Sequence, residues 1–278
     1  MWLLQFYAIE RFLYRLSKSP HVDGVLLKGA LLLQTVGIPR ARPTMDIDLL
    51  RQGRADRDSL IKLVSDCALV KSDSDGVTFD PQSIVAEDIK EAAEYLGTRI
   101  QIAARMDNVR LRVQIDFGVG DVVAPGPRVI EYPASLQQPP FRLRAYPVEA
   151  SVAEKFQAMV ELDMANSRVK DFYDVWVYLR NLPFEGATLA EAIVATFKRR
   201  ATQMPAEPPI ALTTTYFDSE LHLRQWQIFT RRIGEPEFMN QFAAVVADIR
   251  AFIMPVASAL ARGEIFAKQW PAGGPWSS

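Results

Sequence analysis

One cysteine, Cys67, and two histidines, His21 and His222, are all that 278 residues offer of thiolate and imidazole metal ligands. A single cysteine excludes an intrachain disulfide and a thiolate zinc cluster. Two histidines exclude a histidine-rich metal site, so acid–base or metal chemistry must rest mainly on carboxylates. Cys67 itself lies in "DSLIKLVSDCALV" and reads as a small buried apolar residue. Excess charge is missing too: 32 basic and 33 acidic residues leave a formal net charge of −1. That gives no global pull toward an acidic polymer or a membrane surface, although a local basic patch stays compatible with it. No uninterrupted apolar run approaches the ~18–20 residues of a membrane span. The opening "MWLLQFYAIERFLYRLSKSP" has no basic leader and carries Glu10, Arg11 and Arg15 inside its apolar part. It is a poor signal peptide. With Leu4, Ala8, Phe12 and Leu16 on one side, it is expected to form a packed surface helix of a cytoplasmic protein.

What is present is a globular composition, 49% hydrophobic and 23% charged, long enough for one large or two ordinary domains. No internal repeat is visible. "GVLLKG" (24–29) reads as a buried strand bounded by glycines, "ALLLQTVG" as a short helix ending at Gly37, and "TMDIDLLR" (44–51) as the next strand. Residues 55–70 have helical spacing at Leu60, Leu63, Val64 and Cys67. "SIVAEDIKEA" is ambiguous between helix and strand. "TRIQIAARM" and "VRLRVQIDFGVG" alternate, the latter setting Val109, Leu111, Val113 and Ile115 against Arg110, Arg112, Gln114 and Asp116.

The proline-rich stretches between 121 and 148 predict connecting loop. Beyond them, Ser151 and Glu154 have capping-box spacing and predict a helix start, and "VKDFYDVWVYLRN" predicts a second helix. Further helices are expected over 187–200 and 236–266, the last kinked or broken at Pro255. The tail 271–278 is expected to be disordered. The expectation is an α/β domain over 1–145 followed by a helical domain over 146–270.

Within "RPTMDIDLL", Asp46 and Asp48 point to the same strand face and Ile47 to the other. Their Cα atoms sit roughly 6.6 Å apart. At about 6 Å and an effective dielectric near 20, two such charges repel by roughly 3 kcal/mol. A divalent cation relieves that repulsion, and hard oxygen ligands suit Mg²⁺. Taken alone, D-x-D equally suits the solvent side of an edge strand. Three features shift the balance: the glycine turn at Gly29, a helix start beyond it that can offer N–H groups to phosphate, and Asp116 in a later strand. A glycine turn with three in-strand carboxylates is what two-metal nucleotidyl transfer requires.

The stretch from Leu26 to Leu50 resembles the opening motif of the AbiEii/AbiGii family of nucleotidyltransferase-like toxins, K-G-G, a short helix, then R-x-[ST]-x-D-[IL]-D. Lys28, Gly29, Arg42, Thr44, Asp46 and Asp48 meet it. "RVQIDFGVGD" resembles the family's later strand and carries Asp116. The helical signature A-E-K followed by K-D-x-x-D falls on Glu154, Lys155, Lys170, Asp171 and Asp174. The resemblance covers about residues 24–180. It implies a DNA-polymerase-β-like nucleotidyltransferase fold with a helical partner region. It also implies NTP as substrate, Mg²⁺ as cofactor, a cognate antitoxin and, in some members, the acceptor end of tRNA as target. One departure is Ala30, where the family often has glycine or serine.

The expected roles follow. Asp46, Asp48 and Asp116 are candidate metal ligands, Asp116 also a proton acceptor. Lys28, Gly29, Arg42, Thr44 and Lys155 are candidate nucleotide contacts, and Asp171 or Asp174 pairs with Lys155 to orient it. "FKRR" (197–200) with Arg224, Trp226, Arg231 and Arg232 is a candidate RNA-binding face. Two other readings stay open: a non-catalytic nucleotide-binding module of the same fold, and a transferase acting on a protein or small molecule.

Overall fold

Alternating apolar residues build one half of the chain and helical periodicity the other, and the computed structural model describes residues 2–35, 37, 42–72, 75–91, 95–136 and 138–277. The chain divides into two units. Residues up to 37, 43–121 and 127–146 form the first, and Arg42, 122–126 and everything from 147 onward the second.

The first unit is a seven-stranded mixed sheet with helices. Its elements are α1 (Trp2–Lys18), β1 (Val25–Lys28), α2 (Ala30–Thr35), β2 (Asp46–Arg51), α3 (Arg57–Ala68), β3 (Thr78–Glu91), β4 (Tyr95–Met106), β5 (Val109–Val119), β6 (Arg128–Tyr132) and β7 (Phe141–Ala145). The strand order is β3-β4-β5-β2-β1-β7-β6. β2 runs parallel to β5, and β1 antiparallel to β2 and parallel to β7.

One face of the β3–β4–β5–β2 half carries Phe79, Ala104, Leu111, Val113, Ile115 and Ile47, all buried. α1 lies on it, with Phe12 edge-on to Phe79 at 5.6 Å. α1 is buried more completely than a surface helix. Glu10 and Arg11 pair with each other, and Arg15 grips the Asp75 carboxylate at 2.7 and 3.2 Å. α3 begins at Asp56, whose side chain accepts from the Ser59 N–H, and buries Leu60, Leu63, Val64 and Cys67. Burial pushes the Cys67 thiol up to about 12, as befits an inert core residue.

One expectation fails in this unit and one ambiguity resolves. The proline-rich stretch holds β6 and β7, because Pro133, Pro139 and Pro140 fall just outside them and leave every ladder N–H in place. Of the ambiguous "SIVAEDIKEA", the described residues 83–91 belong to β3, which has a register shift between Asp80 and Val85.

The second unit comprises α4 (Val148–Leu162), α5 (Val169–Asn181), β8 (Phe184–Glu185), α6 (Gly186–Arg199), α7 (Thr214–Phe217), α8 (Glu220–Arg232), α9 (Phe242–Ala261) and β9 (Gln269–Trp270). Its core is aromatic: Trp226 stacks on Phe242 at 4.7 Å and Phe172 on Tyr216 at 5.3 Å. α4 starts one turn earlier than the capping box predicts. Pro147 is the N-cap, its carbonyl accepting from Ala150 and Ser151, so Ser151 lies inside the helix.

α9 runs unbroken through Pro255. Pro255 and Ala251 are both exposed, so the carbonyl that loses its partner faces water. Among the described residues, α9 alone is long and apolar enough to cross a membrane by length and composition. It carries Asp248 and Arg250 and buries Val245, Ile249, Phe252 and Ile253 in this unit. The described part of the tail, 271–277, is packed: Trp276 stacks on Phe252 at 5.5 Å and donates to its carbonyl at 2.8 Å.

Candidate active site

The residues picked out by sequence fall into two groups, one in each unit. In the first, β2 sits in the middle of the sheet, where Ile47 and Leu49 go into the core and Asp46 and Asp48 take the opposite, half-buried face. The edge-strand explanation for D-x-D is therefore excluded. Register then sets a row of charge across five strands. Lys28 lies opposite Asp48, Asp48 opposite Asp116, Asp116 opposite Arg99 and Arg99 opposite Glu87. Two carboxylates on directly adjacent strands, about 4.8 Å apart at the backbone, are an arrangement that sheets ordinarily avoid.

The neighbours fix these groups. Thr44 donates its hydroxyl to Asp46 Oδ1 at 2.9 Å, and the Met45 N–H donates to the same oxygen at 3.1 Å. Thr44 thus orients the carboxylate. Lys28 donates to Asp121 Oδ2 at 3.0 Å and lies over the Tyr146 ring. α2 follows Gly29 at once, with Ala30 buried at its start. Gly29 has φ 70°, and a Cβ placed on it would collide with the Asp48 carboxylate, 2.6 Å from Cγ. The missing side chain makes room for Asp48. Gly29→Ala is expected to destabilise the protein by about 1–3 kcal/mol. Denaturant unfolding measures this, and an unchanged midpoint contradicts it.

Asp116 has a partner that sequence reasoning missed. Arg99 donates Nε–H to Oδ1 at 2.9 Å and Nη2–H to Oδ2 at 2.7 Å, a bidentate pair. The hydrogen bond to Asp116 holds the Arg99 guanidinium above its ordinary value. The donor set suits a hard divalent cation: three carboxylates on one half-exposed face, with Asp46 Oδ2 making no hydrogen bond among the described residues. Among those residues, however, no three acidic, histidine or cysteine side chains converge as a ready-made cluster. Asp46 fits the ion through its Oδ2, Asp48 shares its face, and Asp116 fits once it leaves Arg99.

The second group is a chain of alternating charge. Lys155 Nζ lies 2.7 Å from Asp171 Oδ1 and 2.9 Å from Asp174 Oδ2. Arg42 donates to both oxygens of Asp174 at 2.7 and 3.0 Å, and Arg168 to Asp171 Oδ2 at 2.6 Å. Burial pushes the Asp171 carboxyl up, but Lys155 and Arg168 outweigh it and hold it far below the usual range. Asp174 is lowered in the same way, Arg42 and Lys155 overcoming burial. Lys155 is raised, because Asp171 and Asp174 overcome its desolvation. The expected pairing with Lys155 thus involves both aspartates. Arg42, expected to neutralise phosphate, is seated on Asp174.

The expected RNA face does not form around its aromatic. Trp226 is fully buried with its N–H on the Phe238 carbonyl, Phe197 is in the core, and Arg200 donates to Gln157. A different basic strip lies on the carboxylate face of the β4–β5 hairpin. Arg105 is directly opposite Arg110, and Arg112 is the next residue along on that face. All three are exposed, and among the described residues none makes an ion pair.

A family model described as nucleotidyl transferase AbiEii toxin, Type IV TA system, matches residues 11–259. Among solved structures, the chain is similar to an H. pylori protein provisionally described as a nucleotidyltransferase. The identity is 12%, with 94% of this chain and 95% of that one covered and a TM-score of 0.50. It is also similar to JHP933 from Helicobacter pylori, at 11% identity, the same coverage and a TM-score of 0.47. The first likeness shows a nucleotidyltransferase-like fold. No curated protein matches.

Proposed function

The chain belongs to the AbiEii nucleotidyl transferase toxin family of Type IV toxin–antitoxin systems, and from that premise we propose that it is a magnesium-dependent transferase moving an NMP from an NTP to an acceptor hydroxyl. The favoured acceptor is the end of a tRNA, and the reaction belongs to the cytoplasm. The observation carrying this reading is the row in which Asp46, Asp48 and Asp116 share one half-exposed face of adjacent central strands.

Asp46 and Asp48 would hold Mg²⁺, and Asp116 would complete a second site. When bound, magnesium neutralises the triphosphate and the leaving pyrophosphate and lowers the pKa of the attacking hydroxyl. The acceptor oxygen bonds to the α-phosphorus, the α–β bridging bond breaks, and pyrophosphate departs with its electron pair. Asp116 takes the hydroxyl proton. Thr44 keeps Asp46 oriented. Lys155 has two of its three ammonium hydrogens on Asp171 and Asp174.

Incubation with Mg²⁺, α-phosphate-labelled NTPs and total RNA tests the reading. Label on tRNA supports it. Label on protein or a small molecule transfers the activity to another acceptor, and binding without labelling leaves a nucleotide-binding module. The family also names a toxin, for which a cognate antitoxin is the partner. Expression of this chain alone is expected to arrest growth, and D46A to relieve the arrest.

The Arg105, Arg110 and Arg112 strip supports an RNA acceptor, since a directly opposed arginine pair suits a bound polyanion. Converting all three to alanine is expected to flatten the salt dependence of RNA binding by about 2 log units per log unit of salt. Nucleotide binding should hold. A retained slope removes the strip from the RNA-binding surface.

A further inference from the structure

We propose that Arg99 is the resident counter-ion of Asp116, displaced when a divalent cation binds, and that the freed guanidinium then binds the nucleotide triphosphate. This rests on the metal-site reading above and adds a residue and a coupling to it.

Both Asp116 oxygens are occupied by Arg99. A cation that recruits Asp116 must therefore break a bidentate pair. Arg99 is free to leave: its side chain is 35% exposed against 17% for Asp116. It stands on the same sheet face, one strand from Asp116 and two from Asp48. The acid on its other side is the exposed Glu87. A guanidinium presents the planar fork that matches phosphate oxygens. A nucleotide on this face thus offers Arg99 the anion it loses to the metal.

The consequence is positive coupling. Metal alone competes with Arg99 and binds weakly. With a triphosphate present, Arg99 has a second partner and the competition falls away. By linkage, metal strengthens nucleotide binding by the same factor.

The test is Mn²⁺ titration of the full-length protein, followed by the EPR signal of the free ion, with and without an α,β-methylene NTP analogue. The proteins compared are wild type, R99Q, R99K and the D46N/D48N pair, each checked by thermal melting. R99Q is expected to bind Mn²⁺ alone about fivefold tighter than wild type, equivalent to roughly 1 kcal/mol. Its coupling to the analogue should shrink by the same factor. R99K, which keeps charge but not the fork, should fall between them and secures the result if R99Q folds poorly. Mn²⁺ binding lost in D46N/D48N but unchanged in R99Q, with coupling intact, overturns the proposal and leaves the metal site standing. Failure of every protein to bind Mn²⁺ overturns both.

Discussion

Asp48→Asn is expected to lower nucleotidyl transfer by at least ~10²–10³-fold, the scale set by removing one preorganised electrostatic group from a reacting centre. The fold should survive. The side chain is isosteric, so Gly29 still receives it without a clash. The native carboxylate faces Asp116 on the neighbouring strand. At about 5 Å and an effective dielectric near 20, that repulsion is roughly 3 kcal/mol before solvent screening, which reduces it at a half-exposed site. Asparagine removes it together with the negative charge facing Lys28 on β1, so D48N should melt close to the wild-type temperature while activity collapses.

Asp46→Asn should lose activity similarly, but the hydrogen bonds from Thr44 and Met45 then meet an amide. Asp116→Asn should cost up to about 1 kcal/mol, because a partly exposed Arg99 loses its anion. The diagnostic pattern is a set of inactive proteins whose stabilities diverge. Transfer assays and calorimetry on the same preparations read it, and full activity in D46N and D116N sinks the assignment.

The carboxylate face was legible because strand periodicity is two. Asp46, Asp48 and Asp116 can be assigned away from Ile47 and Ile115 without coordinates. Arg99 was equally accessible but needed register. Asp107 and Asn108 form a two-residue hairpin loop, with Asp107 at φ 48°. Met106 then faces Val109, and seven residues further in each direction Arg99 faces Asp116. Reading the alternation without that turn left the pair unseen. The pairing of β2 with β5 joins segments about seventy residues apart, and no local pattern encodes it. Proline misled at β6 and β7 because it marks where strands stop as readily as where they are absent. Arg42 met the family motif and was a candidate nucleotide contact. Its seat on Asp174, 132 residues away, is a tertiary fact.

Lys155→Met is expected to destabilise the second unit by about 3–5 kcal/mol, the cost of stripping one partner from a buried ion pair. Asp171 and Asp174 are each 1% exposed, and removing Lys155 leaves two carboxylates facing each other across the vacated ammonium. Arg168 remains on Asp171 and Arg42 on Asp174. The pH dependence discriminates a charge effect from lost packing. Both carboxyl groups are depressed in the folded protein, so their contribution is fully present above the unfolded value near 4 and is lost as pH falls through the folded values. Lys155 is raised, so its contribution persists below about 10.5 and is lost only as pH rises beyond that. Wild type should therefore hold the second unit folded across neutral pH and into mild acid. In K155M the carboxylates lose the cation that depressed them, and the acid-unfolding midpoint should move upward. Adding D171N to K155M removes the facing charge and should recover part of the loss. A lower melting temperature with an unmoved acid midpoint would assign the effect to packing of the lysine stem.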